Sequence, residues 1–314
     1  SISTPQGQVL ALDAATGNEI WRYVHQIPED LFQLHPTNRG VALYGDKVYV
    51  ASYEGGVVAL DAKTGAKVWE TVIGDYTDGY YSTLSLLAAE GKIVTGVSGG
   101  EYGIRGYVVG LDAETGAEAW RTYTIPAPGE PGSETWTGDT WKVGGGSVWM
   151  QPNYDADSQI FYLGTGNGGP WMPDTRPGDN LYTTAVMAID VNTGAIKGHH
   201  QYHWNDAWDW DEVSAPLLMP VERDGQKVNA LVHAGRNGYI WTLERTQEGQ
   251  INFVAADKYV RQDAFESIDP ETGRPSYNEA TTPGTNKTVT FCPSLWGGKD
   301  WPPESYNPDT GLFY

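Results

Sequence analysis

"VVALDAKTGAKVW" spans residues 57–69, and two close copies flank it, "VLALDAATGNEIW" at 9–21 and "VVGLDAETGAEAW" at 108–120. Each copy reads as a β-rich segment, a Thr-Gly bend and a second β-segment that ends in tryptophan. The aspartates of successive copies lie roughly fifty residues apart, and β-units of about 40–50 residues at a fixed period are typical of propeller blades. The repeat therefore predicts an all-β chain with the fold of a β-propeller.

Two further stretches extend the repeat. "VMAIDVNTGAIKG" at 186–198 is a degenerate copy with Gly198 in the position of the tryptophan, and "YIWTLERTQEGQINF" at 239–253 is a weaker relative. We expect the repeat tryptophans to pack between neighbouring blades, because a large aromatic side chain at a fixed place in each unit suits a repeated interface.

Another predicted strand precedes most copies. The four such segments are "KVYVAS" at 47–52, "KIVTGVS" at 92–98, "IFYLGTG" at 160–166 and "ALVHAG" at 230–235. The count predicts about four blades. The first copy opens without its preceding strand and the last residues, "NPDTGLFY", lie inside the next hairpin, so the sequence predicts one partial propeller domain over residues 1–314, truncated at both ends.

Composition excludes several classes of partner. The 314 residues carry a formal net charge of −20, which argues against nucleic acid or an anionic membrane surface, since both require a basic face. No apolar run approaches the ~20 residues of a membrane span. Cys292 is the single cysteine, so neither an internal disulfide nor a cysteine-ligated metal is expected.

Candidate site residues follow the predicted strands. Glu101, Asn167 and Arg236 come just after three equivalent strands, and equivalent strand ends of a propeller converge on one rim. The stretch "WNDAWDWDEV" at 204–213 adds three tryptophans and four acids. Carboxylate and amide oxygens suit a hard metal ion, so the sequence predicts a cation site there. Taken singly, each residue could equally be a solvated loop or turn residue, and Trp149 could be core or the floor of a flat ligand.

Six stretches carry a resemblance to a known family. "SGGEYGIRGYVVGLDAETGAEAWRTY", "GGGSVWMQPNYD", "GTGNGGPW", "RPGDNLYT", "WDWDE" and "CPSLWGGKDWPP" occur in order, and the similarity runs from about Arg39 to Tyr314. Together they resemble the pyrroloquinoline-quinone (PQQ)-dependent alcohol dehydrogenases, the methanol and ethanol dehydrogenase group. The resemblance implies the middle portion of an eight-bladed propeller from a periplasmic quinoprotein.

The resemblance also implies residue roles. Glu101, Asn167 and Asp209 match metal ligands, and Asp209 also matches the catalytic base. Trp149 matches the tryptophan beneath the quinone. Residues that match the binding of its carboxylates and carbonyls are Arg39, Thr83, Ser98, Gly99, Gly100, Ser147 and Arg236. Asp300-Trp301 stands where an Asn-Trp pair often contacts the cofactor, and Gln33-Leu34 replaces the pair of adjacent cysteines of many relatives.

In the family, an aspartate two positions after the catalytic one marks the lanthanide-using members. Asp211 occupies that position, so a lanthanide(III) ion is expected rather than Ca²⁺, unless Asp211 turns away to pair with a cation or a backbone N–H. The tryptophans of 204–213 would then wall a dry pocket and the acids would hold the cation. Asp206 and Glu212 are expected to be rim or structural residues.

The function implied is oxidation of a small alcohol, with Asp209 as base, a metal-polarised quinone as the oxidant and a cytochrome c as electron acceptor. Two other interpretations stay open. One is a non-catalytic propeller scaffold of the cell envelope, which would lack the Glu-Asn-Asp set. The other is a glycan-binding propeller, in which tryptophans would stack on sugars.

Overall fold

The computed structural model describes residues 1–223 and 225–314 and is built from antiparallel sheets. A three-stranded sheet comes first, with β1 Ile2–Ser3, β2 Gln8–Leu12 and β3 Glu19–Val24. The second sheet has β4 Val41–Tyr44, β5 Lys47–Ser52, β6 Gly56–Asp61 and β7 Lys67–Val72, and the third has β8 Leu87–Ala89, β9 Lys92–Gly96, β10 Tyr107–Asp112 and β11 Glu118–Tyr123. The fourth has β12 Asn153–Asp155, β13 Ile160–Gly164, β14 Ala185–Asp190 and β15 Ile196–Gln201, and the fifth has β16 Leu217–Arg223, β17 Gln226–Ala234, β18 Tyr239–Arg245 and β19 Ile251–Lys258.

Two short hairpins and five 3₁₀ turns complete the described residues. The hairpins pair β20 Phe265–Ile268 with β21 Pro275–Tyr277, and β22 Tyr306–Asn307 with β23 Leu312–Phe313. The turns are Tyr76–Asp78, Gly100–Tyr102, Ser133–Thr135, Thr140–Val143 and Pro173–Thr175. None of the described residues forms a helix with the length and apolar character needed to cross a bilayer.

The predicted all-β propeller architecture is confirmed, and four of the sheets have the four strands of a complete blade. Each repeat copy supplies the last two strands of a sheet, joined by the same turn. In that turn the aspartate accepts hydrogen bonds from the backbone N–H groups two and three residues later and from a threonine hydroxyl. For Asp61 the donors are Lys63 N at 3.1 Å, Thr64 N at 2.8 Å and Thr64 Oγ1 at 2.7 Å. The repeat aspartates therefore build turns, while the short first strands β4, β8 and β12 carry no repeat signal.

The repeat tryptophans join neighbouring blades, as expected. Trp69 Nε1 donates to Ala113 O of the next sheet at 3.1 Å. Its ring lies against Gly116, where a Cβ atom would come 2.6 Å from Trp69 Cε3. Trp21 meets Gly65, and Trp120 meets Gly194, in the same way. Each of the first three sheets thus inserts an indole beneath the Thr-Gly turn of the next sheet.

The fourth blade breaks this pattern for a steric reason. At Gly198, a Cβ atom would lie 2.4 Å from Gly249 O in the next blade, so the tryptophan position is closed by backbone. Apolar clusters fill the spaces between successive sheets, and the one between the fourth and fifth sheets is rich in aromatic rings. Packing between blades is therefore continuous, but at this joint different residues supply it.

Replacing Gly116 by alanine is expected to lower the free energy of unfolding by about 2–4 kcal/mol. Gly116 has φ +73°, which costs an L-residue ~1–2 kcal/mol, and the new Cβ would overlap Trp69. Gly129→Ala is the matched control, because Gly129 has φ +92° but no atom within 4 Å of the added Cβ. Denaturant titration of both variants measures the difference, and equal losses would contradict the tryptophan–glycine joint.

Candidate active site

The loops that follow β9, β13 and β17 meet at one end of the blades, where the sequence predicted convergence. A glycine-rich segment, residues 144–149, runs between the first two of these loops. Gly146 N donates to Asn167 O at 3.0 Å, Gly166 N donates to Ser147 O at 2.8 Å, and Val148 N donates to Val97 O at 2.8 Å. This ladder holds Trp149, which is half-buried, at a defined place on the rim. Ser147 is buried and its Oγ would lie 3.5 Å from a Cβ atom on Gly100.

The acidic loop, residues 204–213, is anchored by its tryptophans. Trp208 and Trp210 are fully buried and their rings stack at 4.9 Å. Their indole N–H groups donate to Thr281 O at 3.1 Å and Ser294 O at 3.0 Å. The expectation that these rings wall a pocket is therefore corrected, since they lie in the core between the fourth and fifth sheets.

Asp206 organises the acidic loop from inside. Its buried carboxylate accepts the backbone N–H of Asp209 at 3.0 Å and lies 3.0 Å from His203 Nε2. Asp209 takes φ 61°, a left-handed conformation that aspartate tolerates better than most residues. Asp206 is thus a structural residue, as expected, and it holds the backbone of the predicted base.

Asp211 contacts two of the predicted site residues. Its Oδ1 accepts the backbone N–H of Asn167 at 2.9 Å, and its Oδ2 accepts from Arg236 Nη1 at 2.9 Å. Arg236 Nη2 lies 3.3 Å from Asp300 Oδ1. These are the pairings of the alternative expectation, a cation and a backbone N–H, and both partners belong to the candidate site.

Arg39 lies between two indole rings. Its guanidinium carbon is 4.8 Å from the centroid of Trp149 and 4.7 Å from that of Trp301, within the range of cation–π contacts. Arg39 Nη1 donates to Thr83 Oγ1 at 2.6 Å, and Thr83 Oγ1 lies 3.2 Å from Ser98 Oγ. Gly99, with φ 113°, follows Ser98 and opens the turn that carries Glu101. The structure therefore brings all the sequence-predicted residues into one neighbourhood.

Four buried polar atoms at this site have no hydrogen-bond partner within the described protein. Two are acceptors, Asn167 Oδ1 and Asp209 Oδ1, and two are donors, Arg39 Nε and Arg236 Nε. Buried polar groups normally have partners, so unpaired atoms mark a place for a ligand. The acceptors fit a hard cation, and the donors fit an anion or carbonyl oxygen. The site therefore fits a metal ion together with an anionic, carbonyl-bearing group beside Trp149.

The acids of the site raise one another's pKa values. Burial, followed by the charges of Asp211 and Asp206, raises the pKa of Asp209 above its ordinary value. Burial also raises the pKa of Asp211, while Arg236 opposes the rise. Glu101 is exposed on its turn, yet its charge contributes to both shifts. Such a crowd of carboxylates favours a bound cation.

Sequence reasoning named Glu212 as a rim or structural residue but missed its buried partner His233. Glu212 is buried and accepts the backbone N–H of Arg236 at 3.1 Å, while His233 Nε2 lies 2.7 Å from it. The histidine in "ALVHAG" was a possible signal, because it is a polar residue within an otherwise apolar strand.

A comparison with family models decides the family. The model named PQQ, "Glucose/ethanol/alcohol dehydrogenase, beta-propeller domain", matches residues 1–267. The chain belongs to this family. Among its curated relatives, the chain is 35% identical to quinoprotein alcohol dehydrogenase PedH of Pseudomonas putida, over 98% of this chain and 55% of the relative. It is 38% identical to quinohemoprotein alcohol dehydrogenase ADH IIB of Pseudomonas putida, over 98% of this chain and 46% of the relative.

Solved structures of PQQ dehydrogenases have the same fold. A europium-containing methanol dehydrogenase matches with a TM-score of 0.93 and 31% identity, over 100% of this chain and 58% of that one. The quinohemoprotein alcohol dehydrogenase from Comamonas testosteroni matches with a TM-score of 0.88 and 34% identity, over 98% of this chain and 48% of that one. The chain spans about half the length of the curated relatives it matches.

Proposed function

We propose that the protein containing this chain is a periplasmic PQQ-dependent alcohol dehydrogenase that oxidises an alcohol to an aldehyde or ketone. The observation that carries the proposal is the presence, at one site beside Trp149, of two buried acceptors and two buried guanidinium donors that have no hydrogen-bond partner among the described residues. The similarity to quinoprotein and quinohemoprotein alcohol dehydrogenases supports it, and a cytochrome c is the proposed electron acceptor.

When bound, PQQ would accept the hydride of the alcohol and the metal ion would polarise one of its carbonyl groups. The proposed metal ligands are Glu101, Asn167, Asp209 and Asp211. For the quinone, Trp149 offers a flat face, and Arg39 and Arg236 offer N–H donors to carboxylate or carbonyl oxygens. The proposed further contacts are Thr83, Ser98, Gly99, Gly100, Ser147, Asp300 and Trp301.

Asp209 is the proposed general base. Its Oδ1 has no donor among the described residues, so we propose that it accepts the hydroxyl proton of the alcohol. The left-handed backbone at Asp209, held by Asp206, fixes where that carboxylate can reach. Asp206 and the buried tryptophans therefore orient the base without touching the substrate.

We also propose that the metal is a lanthanide(III) ion rather than Ca²⁺. The carboxylates of Glu101, Asp209 and Asp211 are the acidic ligands proposed for the ion, and Arg236 pairs with Asp211. A trivalent ion attracts such a set of carboxylates more strongly than a divalent ion does. One of the similar solved structures is a europium-containing methanol dehydrogenase.

The glycan-binding alternative loses two tryptophans of the acidic loop as sugar-stacking residues, because Trp208 and Trp210 are buried. The scaffold alternative does not account for unpaired buried donors and acceptors at one end of the blades.

The test of the proposed function is reconstitution of the full-length apoprotein with PQQ and metal. We expect the protein to bind quinone, which absorbance measures, and to oxidise alcohol in a dye-linked assay. Trp149→Ala should weaken quinone affinity roughly ten-fold, because aromatic stacking contributes ~0.5–1.5 kcal/mol beyond the buried area. Trp149→Phe, which keeps an aromatic face, should recover most of the affinity. If Trp149→Ala binds and turns over like wild type, the stacking role is wrong.

A further inference from the structure

A chain of buried charged groups lies directly behind the candidate site. Glu212 is 1% exposed, and its two carboxylate oxygens accept the backbone N–H groups of Arg236 at 3.1 Å and Asn237 at 3.3 Å. It therefore holds the turn after β17 from which the Arg236 side chain extends to Asp211. A carboxylate that accepts several backbone N–H groups fixes backbone direction strongly.

His233 links that carboxylate to a second one. It is 2% exposed, its Nε2 lies 2.7 Å from Glu212 Oε2, and its Nδ1 lies 3.5 Å from Glu304 Oε1. Burial disfavours the charged imidazole, but the hydrogen bond to Glu212 and the nearby Glu304 carboxylate outweigh burial and raise the pKa of His233 to about 9. The position of the ring between two carboxylates favours its imidazolium form.

Glu304 belongs to the segment that carries Asp300 and Trp301. Its Oε1 accepts the backbone N–H of Ala234 at 3.0 Å and lies 3.4 Å from Lys299 Nζ. Lys299 Nζ also donates to Ser214 Oγ at 3.0 Å. In addition, Gly298 N donates to Arg236 O at 2.9 Å. The 294–304 segment thus contacts β17 and the turn after it at several points, and the ion pair between Glu304 and His233 is one of these contacts.

We propose that His233 is a positioning residue that clamps the 294–304 segment against β17, so that Trp301 and Arg236 face the ligand site in fixed relative positions. The proposal rests on the proposed function, because it assigns the clamp to the quinone site. His233 touches neither the ligand site nor the reacting atoms. It acts through Glu212 on the turn that carries Arg236, and through Glu304 on the segment that carries Trp301.

Two variants test the clamp in the full-length protein. His233→Leu removes the imidazole that lies between the carboxylates of Glu212 and Glu304. Glu304→Gln keeps the shape of the side chain but removes the negative charge that faces His233. We expect both to weaken PQQ affinity, measured by quenching of tryptophan fluorescence, by about 10- to 100-fold, by analogy with residues that support the ligands of a metal site. Hydrogen exchange at residues 294–304 should quicken while β18 stays protected.

His200→Leu is the matched control. His200 is also a buried histidine and its ring lies 5.5 Å from Trp241, but among the described residues its Nε2 has no hydrogen-bond partner. This variant should bind PQQ and exchange like wild type. If His233→Leu does not fold, Glu304→Gln decides the question.

The outcomes separate the two proposals. Wild-type affinity and unchanged exchange in a folded His233 or Glu304 variant would overturn the clamp. Quicker exchange at 294–304 with wild-type affinity would overturn it as well, because the tie would then be structural only. Failure of the wild-type protein itself to bind PQQ would instead overturn the proposed function.

Discussion

Asp209→Asn is expected to reduce alcohol turnover at least ~100-fold, the lower range for loss of a general base. Asparagine keeps the size of the side chain but cannot take the hydroxyl proton, and it removes one negative charge from the proposed metal site. The backbone should be unaffected, because asparagine also tolerates the left-handed φ of 61° and its N–H still donates to Asp206. Stability should therefore stay close to wild type.

The measurement is kcat for the reconstituted full-length enzyme at saturating metal, with bound metal determined in parallel. If Asp209→Asn retains its metal but loses turnover, Asp209 acts as the base. If it loses metal and turnover together, its role as a metal ligand dominates. Asp139→Asn is the control, since the Asp139 side chain is 79% exposed and forms a surface ion pair with Lys142. Activity of Asp209→Asn within a few-fold of wild type would remove Asp209 from the mechanism.

Supplying lanthanum or cerium alone should give a fully active enzyme, and supplying calcium alone should give little activity. Asp211→Ala should abolish the lanthanide-dependent activity, because it removes one proposed ligand and one of the charges that favour a trivalent ion. It also leaves Arg236 without its 2.9 Å partner. Both effects act on the same site, so the expected loss is large.

Metal content and activity should be measured together for each metal, in wild type and in Asp211→Ala. Asp157→Ala, at an exposed position, serves as the control for expression and folding. Full activity with calcium and no gain with lanthanide would overturn the assignment of the metal. An Asp211→Ala variant that keeps its lanthanide activity would overturn the role of Asp211.

The fold was predictable because its determinants are local. The turn aspartate, the Thr-Gly bend and the terminal tryptophan recur at a fixed period, and each performs the same task in the first three sheets. Short strands such as β8, with three residues, were not predictable, since their pairing depends on neighbours rather than on their own pattern.

The site was predictable by position but not in its contacts. Equivalent strand ends place Glu101, Asn167 and Arg236 together whatever their neighbours are. Loop side chains, in contrast, are aimed by tertiary packing. Trp208 and Trp210 point into the core for this reason, and Asp211 is partnered by Arg236 through a contact between distant parts of the chain.

The acidic loop also packs between two blades. At the fourth blade the joint lacks the indole that fastens the earlier ones, and Trp208 and Trp210 lie in the apolar cluster that fills it. The residues between and beside them, Asp209 and Asp211, are those proposed to perform the chemistry. Adaptation of the proposed enzyme to a new substrate or metal therefore cannot remodel the loop freely, because each shift of the acids also moves the rings that pack between the blades.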